Sequence, residues 1–174
     1  MPSGRTHDKI TIFLTLPIAA ATYYFTRDWL LTTIVTVGLL FGGLMFGPDL
    51  DTQSVHYTRW GPLRFIWWPY KVAFSHRSRF SHGILFGTII RIIYFLLVVT
   101  ILVALTLYAR DWYNQENTRS VAQVHDAFTR VLEIIKPIKR EYLLAAFAGL
   151  WIGAASHTAS DVLGSFFKSV KKSL

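Results

Sequence analysis

The run ILFGTIIRIIYFLLVVTILVALTLY, residues 84–108, decides what kind of chain this is. Its 25 residues carry one charge, Arg91, and a helix of that length covers more than the roughly 20 residues needed to cross about 30 Å of hydrocarbon. Three further apolar stretches lie around it, at about 10–25, 29–47 and 143–167. The first is short and holds Pro17, but no small-residue cleavage site follows a separate basic region, so it reads as a retained span, not a signal peptide. Only the residues around Arg27 and Asp28 separate it from the second, so those two spans form a hairpin. The expected fold is all-α: an integral membrane four-helix bundle, one membrane domain over 1–174.

Composition agrees. Of the 174 residues, 52% are apolar and 16% charged, against about 25% charged in an ordinary soluble domain. Mean hydropathy is +0.37. With no Cys there is no disulfide framework, no thiolate metal site and no cysteine nucleophile, so any metal has to be held by His and carboxylates. The net charge of +8 suggests loops facing anionic lipid, and no nucleic acid partner is expected.

Basic residues set the orientation. One side collects ten, with Arg5 and Lys9 before the first span, Arg59, Arg64, Lys71, Arg77 and Arg79 in the central loop, and Lys168, Lys171 and Lys172 at the end. The other collects seven: Arg27, Arg110, Arg119, Arg130, Lys136, Lys139 and Arg140. Both termini are therefore expected in the cytoplasm. Between the third and fourth spans, Val121, Val124, Phe128, Val131, Leu132 and Ile135 recur every three or four residues, which predicts an amphipathic interfacial helix over about 118–136 that includes His125. Tyr57, Trp60, Phe65, Trp67, Trp68 and Tyr70 read as an interfacial aromatic belt broken by Pro62 and Pro69.

Four pairs of residues are out of place in so apolar a chain. His7-Asp8 precedes the first span, Asp49 and Asp51 close the second, His76 and His82 open the third, and His157 and Asp161 lie near the end of the fourth. The four-span topology brings all four pairs to one membrane face. His157 and Asp161 stand at i and i+4, one turn apart on a helix face, with Gly149 and Gly153 on the same ridge giving a small-xxx-small pattern for close helix approach. Any one pair could cap a helix or hydrogen-bond within the packing. Together they predict a metal site built from His7, Asp8, Asp49, Asp51, His76, His82, His157 and Asp161. The mixture of imidazole and carboxylate suits Zn²⁺, Mn²⁺ or Fe²⁺, and eight candidates suffice for one or two ions. His56 has no sequence partner and is left outside.

These residues carry a resemblance. Gly47-Pro48-Asp49-Leu50-Asp51, Tyr57-Thr58-Arg59-Trp60-Gly61, Trp68-Pro69-Tyr70, His76-Arg77-Ser78 with Ser81-His82-Gly83, and the late His157 and Asp161 resemble the cyanobacterial-type family of metal-binding membrane proteins of unassigned function. More distantly they resemble the YdjM-like inner-membrane proteins, named metal-dependent hydrolases. The likeness runs over residues 5–161 and implies a metal-binding membrane protein, with hydrolysis as its activity if it is an enzyme.

On that reading a water acidified by the metal attacks, and Asp8 or Asp161 serves as general base. Arg77, Arg79 and Arg91 are the candidate contacts to a substrate, and arginine forks suit the phosphate oxygens of a phosphoester or lipid-like molecule. The alternative is a non-catalytic membrane scaffold or assembly protein with a structural metal. Sequence leaves oligomeric state open.

Overall fold

The computed structural model describes residues 4–74, 83–114, 125, 128–129, 132–133 and 136–173. Among these there is no strand. In chain order the elements are α1 (Gly4–Thr26), α2 (Trp29–Leu44), a 3-10 turn (Pro48–Asp51), α3 (Val55–Arg59), a second 3-10 segment (Gly61–Trp67), α4 (Trp68–Ala73), α5 (Phe86–Tyr113) and α6 (Arg140–Ser173). They divide into two compact units, Met1–Arg91 with Glu141–Leu174, and Ile92–Arg140.

Three helical stretches are long and apolar enough to cross a membrane: Trp29–Asp51, Phe86–Arg110 and Arg140–Phe166. They correspond to the second, third and fourth expected spans. The first expected span falls within α1, which is not one of the three. Its threonines, two tyrosines and Pro17 dilute the apolar run.

In the larger unit, α1 and α2 form the expected hairpin, and local chemistry explains the reversal. Arg27 takes a left-handed conformation with φ 52°. Asp28 then caps α2, its Oδ1 accepting from the N–H groups of Leu30 and Leu31 at 2.7 and 3.0 Å. Threonine hydroxyls along these helices donate to carbonyls one turn back, as Thr15, Thr22, Thr32 and Thr36 do. No polar hydrogen of theirs is then left facing an apolar surround.

Helix α6 lies against α2 at backbone contact. A Cβ on Gly153 would sit 2.2 Å from the Leu39 carbonyl oxygen, and one on Gly42 would sit 2.2 Å from that of Leu150. The small-residue ridge read from Gly149 and Gly153 thus meets α2. Beyond α2 the aromatic belt splits in two. Ile66, Trp67 and Tyr70 are buried, while Leu63, Phe65, Trp68 and Val72 are exposed. Trp60 Nε1 donates to the Met45 carbonyl at 3.0 Å, tying the belt to the end of α2.

In the smaller unit, most of the expected amphipathic helix lies outside the described residues. Of those described within it, His125, Phe128, Thr129, Leu132 and Glu133 are helical and exposed, and Lys136 is in an exposed turn.

Candidate metal centre

The chain reversals place three remote segments at one end of the larger unit. The start of α1 brings His7, the turn after α2 brings Asp49, and the second half of α6 brings His157 and Asp161. Pro48 starts the 3-10 turn, and Gly47 before it is extended. The Asp49 carbonyl accepts from Thr52 Oγ1 at 3.2 Å and Ser54 Oγ at 2.7 Å. Ser54 also caps α3 by accepting from the Tyr57 N–H. This short capped path from Asp49 to α3 carries His56 into the same place.

Two triads result, and they share one ring: His7, His157 and Asp161, and Asp49, His56 and His157. His7 Nε2 is 3.3 Å from Asp161 Oδ1, His157 Nε2 is 3.4 Å from Asp49 Oδ2, and His157 Nδ1 is 3.7 Å from Asp161 Oδ2. All but Asp49 are buried, at 8% exposure or less. Asp49 keeps its side chain 22% exposed.

These separations are longer than ordinary N–H···O bonds. The first two match the edge of a tetrahedron of donors about 2.0–2.2 Å from a central cation, which is about 3.3–3.6 Å. His157 Nδ1, His56 Nδ1 and both Asp161 carboxylate oxygens are buried without a hydrogen bond. Buried polar atoms in that state carry a desolvation cost that a cation would offset. The donor set therefore fits a divalent metal.

Burial, and then the neighbouring His157, lower the pKa of His7. The same two causes push His56 down to about 4. Both rings are neutral at pH 7, which is the form that binds metals.

Of the eight expected ligands, the structure brings together His7, Asp49, His157 and Asp161. Asp8, expected as ligand and general base, is instead gripped by Arg59. The guanidinium donates from Nη1 to Oδ1 at 2.9 Å and from Nη2 to Oδ2. This pairing holds the Asp8 carboxyl below its ordinary pKa and raises that of Arg59. Successive helix residues point about 100° apart, so α1 cannot aim His7 and Asp8 at one point.

Asp51 is buried on the other side of the turn, within electrostatic reach of Arg91. Arg91, expected to meet substrate, is itself buried at 1% exposure. It donates from Nη2 to Thr88 Oγ1 at 3.2 Å and lies within electrostatic reach of Tyr70. The first turns of α5 thus use this arginine as an internal brace. His76, Arg77, Arg79 and His82 lie outside the described residues.

Sequence reasoning missed two participants. His56 lacks a partner at helical spacing, and its place depends on the turn and cap that precede it. Its seat requires Gly47, where a Cβ would stand 2.5 Å from the ring. Ser160 reads as an ordinary small residue of α6, yet its Oγ lies 2.6 Å from His7 Nδ1 and 2.8 Å from the His157 carbonyl oxygen.

No curated protein and no solved structure matches the chain. One family model does, over residues 2–171, and with that coverage the chain belongs to the family described as uncharacterized metal-binding protein (DUF2227).

Proposed function

We propose that this is a multi-pass membrane protein whose cytoplasmic end holds a divalent cation, Zn²⁺, Mn²⁺ or Fe²⁺, and that the centre hydrolyses a phosphoester of lipid or lipid-like character. The observation that supports it most is the convergence of three imidazoles and two carboxylates from three stretches far apart in sequence, at 7, 49–56 and 157–161. A divalent cation there supplies Lewis acidity, polarising a phosphoryl oxygen and lowering the pKa of water. The partly exposed Asp49 marks the side from which a substrate reaches the buried histidines. With Arg91 buried and Arg59 held by Asp8, phosphate recognition falls to Arg77 and Arg79.

Packing supports a fourth crossing. α1 runs back along α2 from a two-residue turn, and Thr11 sits so close to Gly43 that a Cβ there would lie 2.4 Å from it. A neighbour of α2 over that length shares its surroundings. The outward side chains of α1, Ile12, Phe13, Leu16 and Phe25, are 58–82% exposed and apolar, as lipid-facing residues are.

The burial of the ligands favours a second reading, in which the ion clamps the segments together and catalyses nothing. Metal analysis of the detergent-purified protein tests the shared part: about one or more equivalents of a divalent metal are expected, with a lower Tm after chelation. A panel of phosphoesters then separates the two, because metal-dependent turnover supports hydrolysis and its absence in the loaded protein leaves the clamp.

A further inference from the structure

The two triads sharing His157 are not equivalent, and resting on the metal-centre reading, we infer that one ion binds at Asp49, His56 and His157 while His7, Asp161 and Ser160 orient His157. Ring geometry is the first reason. An imidazole donates its lone pair in the ring plane, so two rings that hold one ion must be inclined to one another or lie edge to edge. His56 and His157 are tilted by 57° with centroids 4.9 Å apart. His7 and His157 are stacked, 16° from parallel with centroids 3.7 Å apart. In-plane lone pairs on two stacked rings run side by side and do not converge.

Lone-pair accounting is the second reason. His56 Nε2 faces the Gly43 carbonyl oxygen at 3.0 Å, and a carbonyl can only accept, so the ring proton is on Nε2. His56 Nδ1 is then a bare donor, buried with no hydrogen bond. In His7 both nitrogens face partners: Nδ1 faces Ser160 Oγ at 2.6 Å and Nε2 faces Asp161 Oδ1 at 3.3 Å. The Ser160 hydroxyl gives its one proton to the His157 carbonyl at 2.8 Å, so His7 carries its own proton on Nδ1, towards the serine oxygen, and its stacking on His157 is what keeps it from sharing that ring's ion.

His157 divides its two edges between the groups. Its Nε2 faces Asp49 and its Nδ1 faces Asp161. With Nε2 given to the ion, the remaining proton sits on Nδ1, towards the Asp161 carboxylate. A carboxylate behind a metal-bound histidine fixes the tautomer and the ring angle. Asp161 is therefore a positioning residue, while His7, stacked on the ring, and Ser160, bonded to the His157 carbonyl and to His7, hold His157 in place.

Calorimetric titration of the full chain in detergent with Zn²⁺ tests this, comparing wild type with His56→Gln, His7→Gln, Asp161→Asn and Ser160→Ala, each first checked by thermal melting without metal. The expected results are one ion per wild-type chain, a loss of more than a hundredfold in affinity for His56→Gln, and unchanged stoichiometry with roughly 10- to 100-fold weaker binding for His7→Gln and Asp161→Asn. Ser160→Ala should weaken binding less. Two ions per wild-type chain would overturn the assignment without any variant having to fold. So would tight binding in His56→Gln beside abolished binding in His7→Gln. No binding by the wild-type chain would instead bring down the metal-centre reading itself.

Discussion

His7 and Asp8 are neighbours in sequence and part company in space, one in the ligand cluster and the other in the grip of Arg59. Asp8→Asn should therefore leave Zn²⁺ stoichiometry intact and cost about 1 kcal/mol of stability, as expected for a two-point but partly exposed arginine–carboxylate pair. The pH dependence has a definite sign. The folded pKa of Asp8 is depressed, so its contribution is present above the ordinary carboxylate pKa and fades as pH falls through the folded value. Chemical denaturation of the metal-free protein from pH 6 to pH 3 should show the gap between wild type and Asp8→Asn closing towards the acid end. A gap that stays constant would mean the pair contributes nothing. Gly47 yields a sharper result. Its backbone, with φ −69° and ψ 171°, is open to any residue, so Gly47→Ala introduces no backbone strain. The new methyl would meet the His56 ring at 2.5 Å, and the ring must move. Zn²⁺ affinity should fall at least tenfold; an unaltered affinity would remove His56 from the ligand set.

At the scale of elements, the site depends on how closely α6 approaches α2. Gly153→Ala places a methyl 2.2 Å from a carbonyl oxygen of α2, and backbone cannot swing aside as a side chain can. A cost of about 1–3 kcal/mol is expected, together with weaker metal binding, since His157 is one turn further along α6. Gly61→Ala is the control. That glycine has φ 54° with open space where a Cβ would go, so the substitution should cost about 1 kcal/mol in backbone strain and leave metal binding unchanged. Equal metal affinity in both variants would show that helix spacing does not set the site. The small-residue ridge was legible in the sequence because Gly149, Gly153, His157 and Asp161 share one helical period. The hairpin was legible because Arg27 and Asp28 interrupt two apolar runs. His56 was not, because its position comes from a 3-10 turn, a serine cap and a carbonyl 13 residues back, none of which leaves a periodic trace. The burial of Arg91 and Asp51 was not legible for a related reason. A charge near a membrane face looks available in sequence, whereas its burial beside another charge is visible only in three dimensions.

For the whole molecule, the number of crossings and the metal centre stand or fall together. His7 comes before every apolar stretch and His157 lies near the end of the last, and their rings stack at 3.7 Å. Two residues in contact share one membrane face, so the chain between them must cross an even number of times. Among the described residues three helices are apolar enough to span by composition alone, which is an odd number. On the proposed membrane reading, the contact is met if α1 crosses as the fourth, beside α2. The excess of basic residues on the side of the termini, ten against seven, is the ground for expecting that face in the cytoplasm. Reporter fusions before Arg5 and after Lys172 should both read as cytoplasmic, and one after Asn114, at the far end of α5, should read as external. Opposite readouts from the two termini would mean an odd number of crossings. His7 and His157 would then lie on different faces, and the stacking that orients His157 could not form.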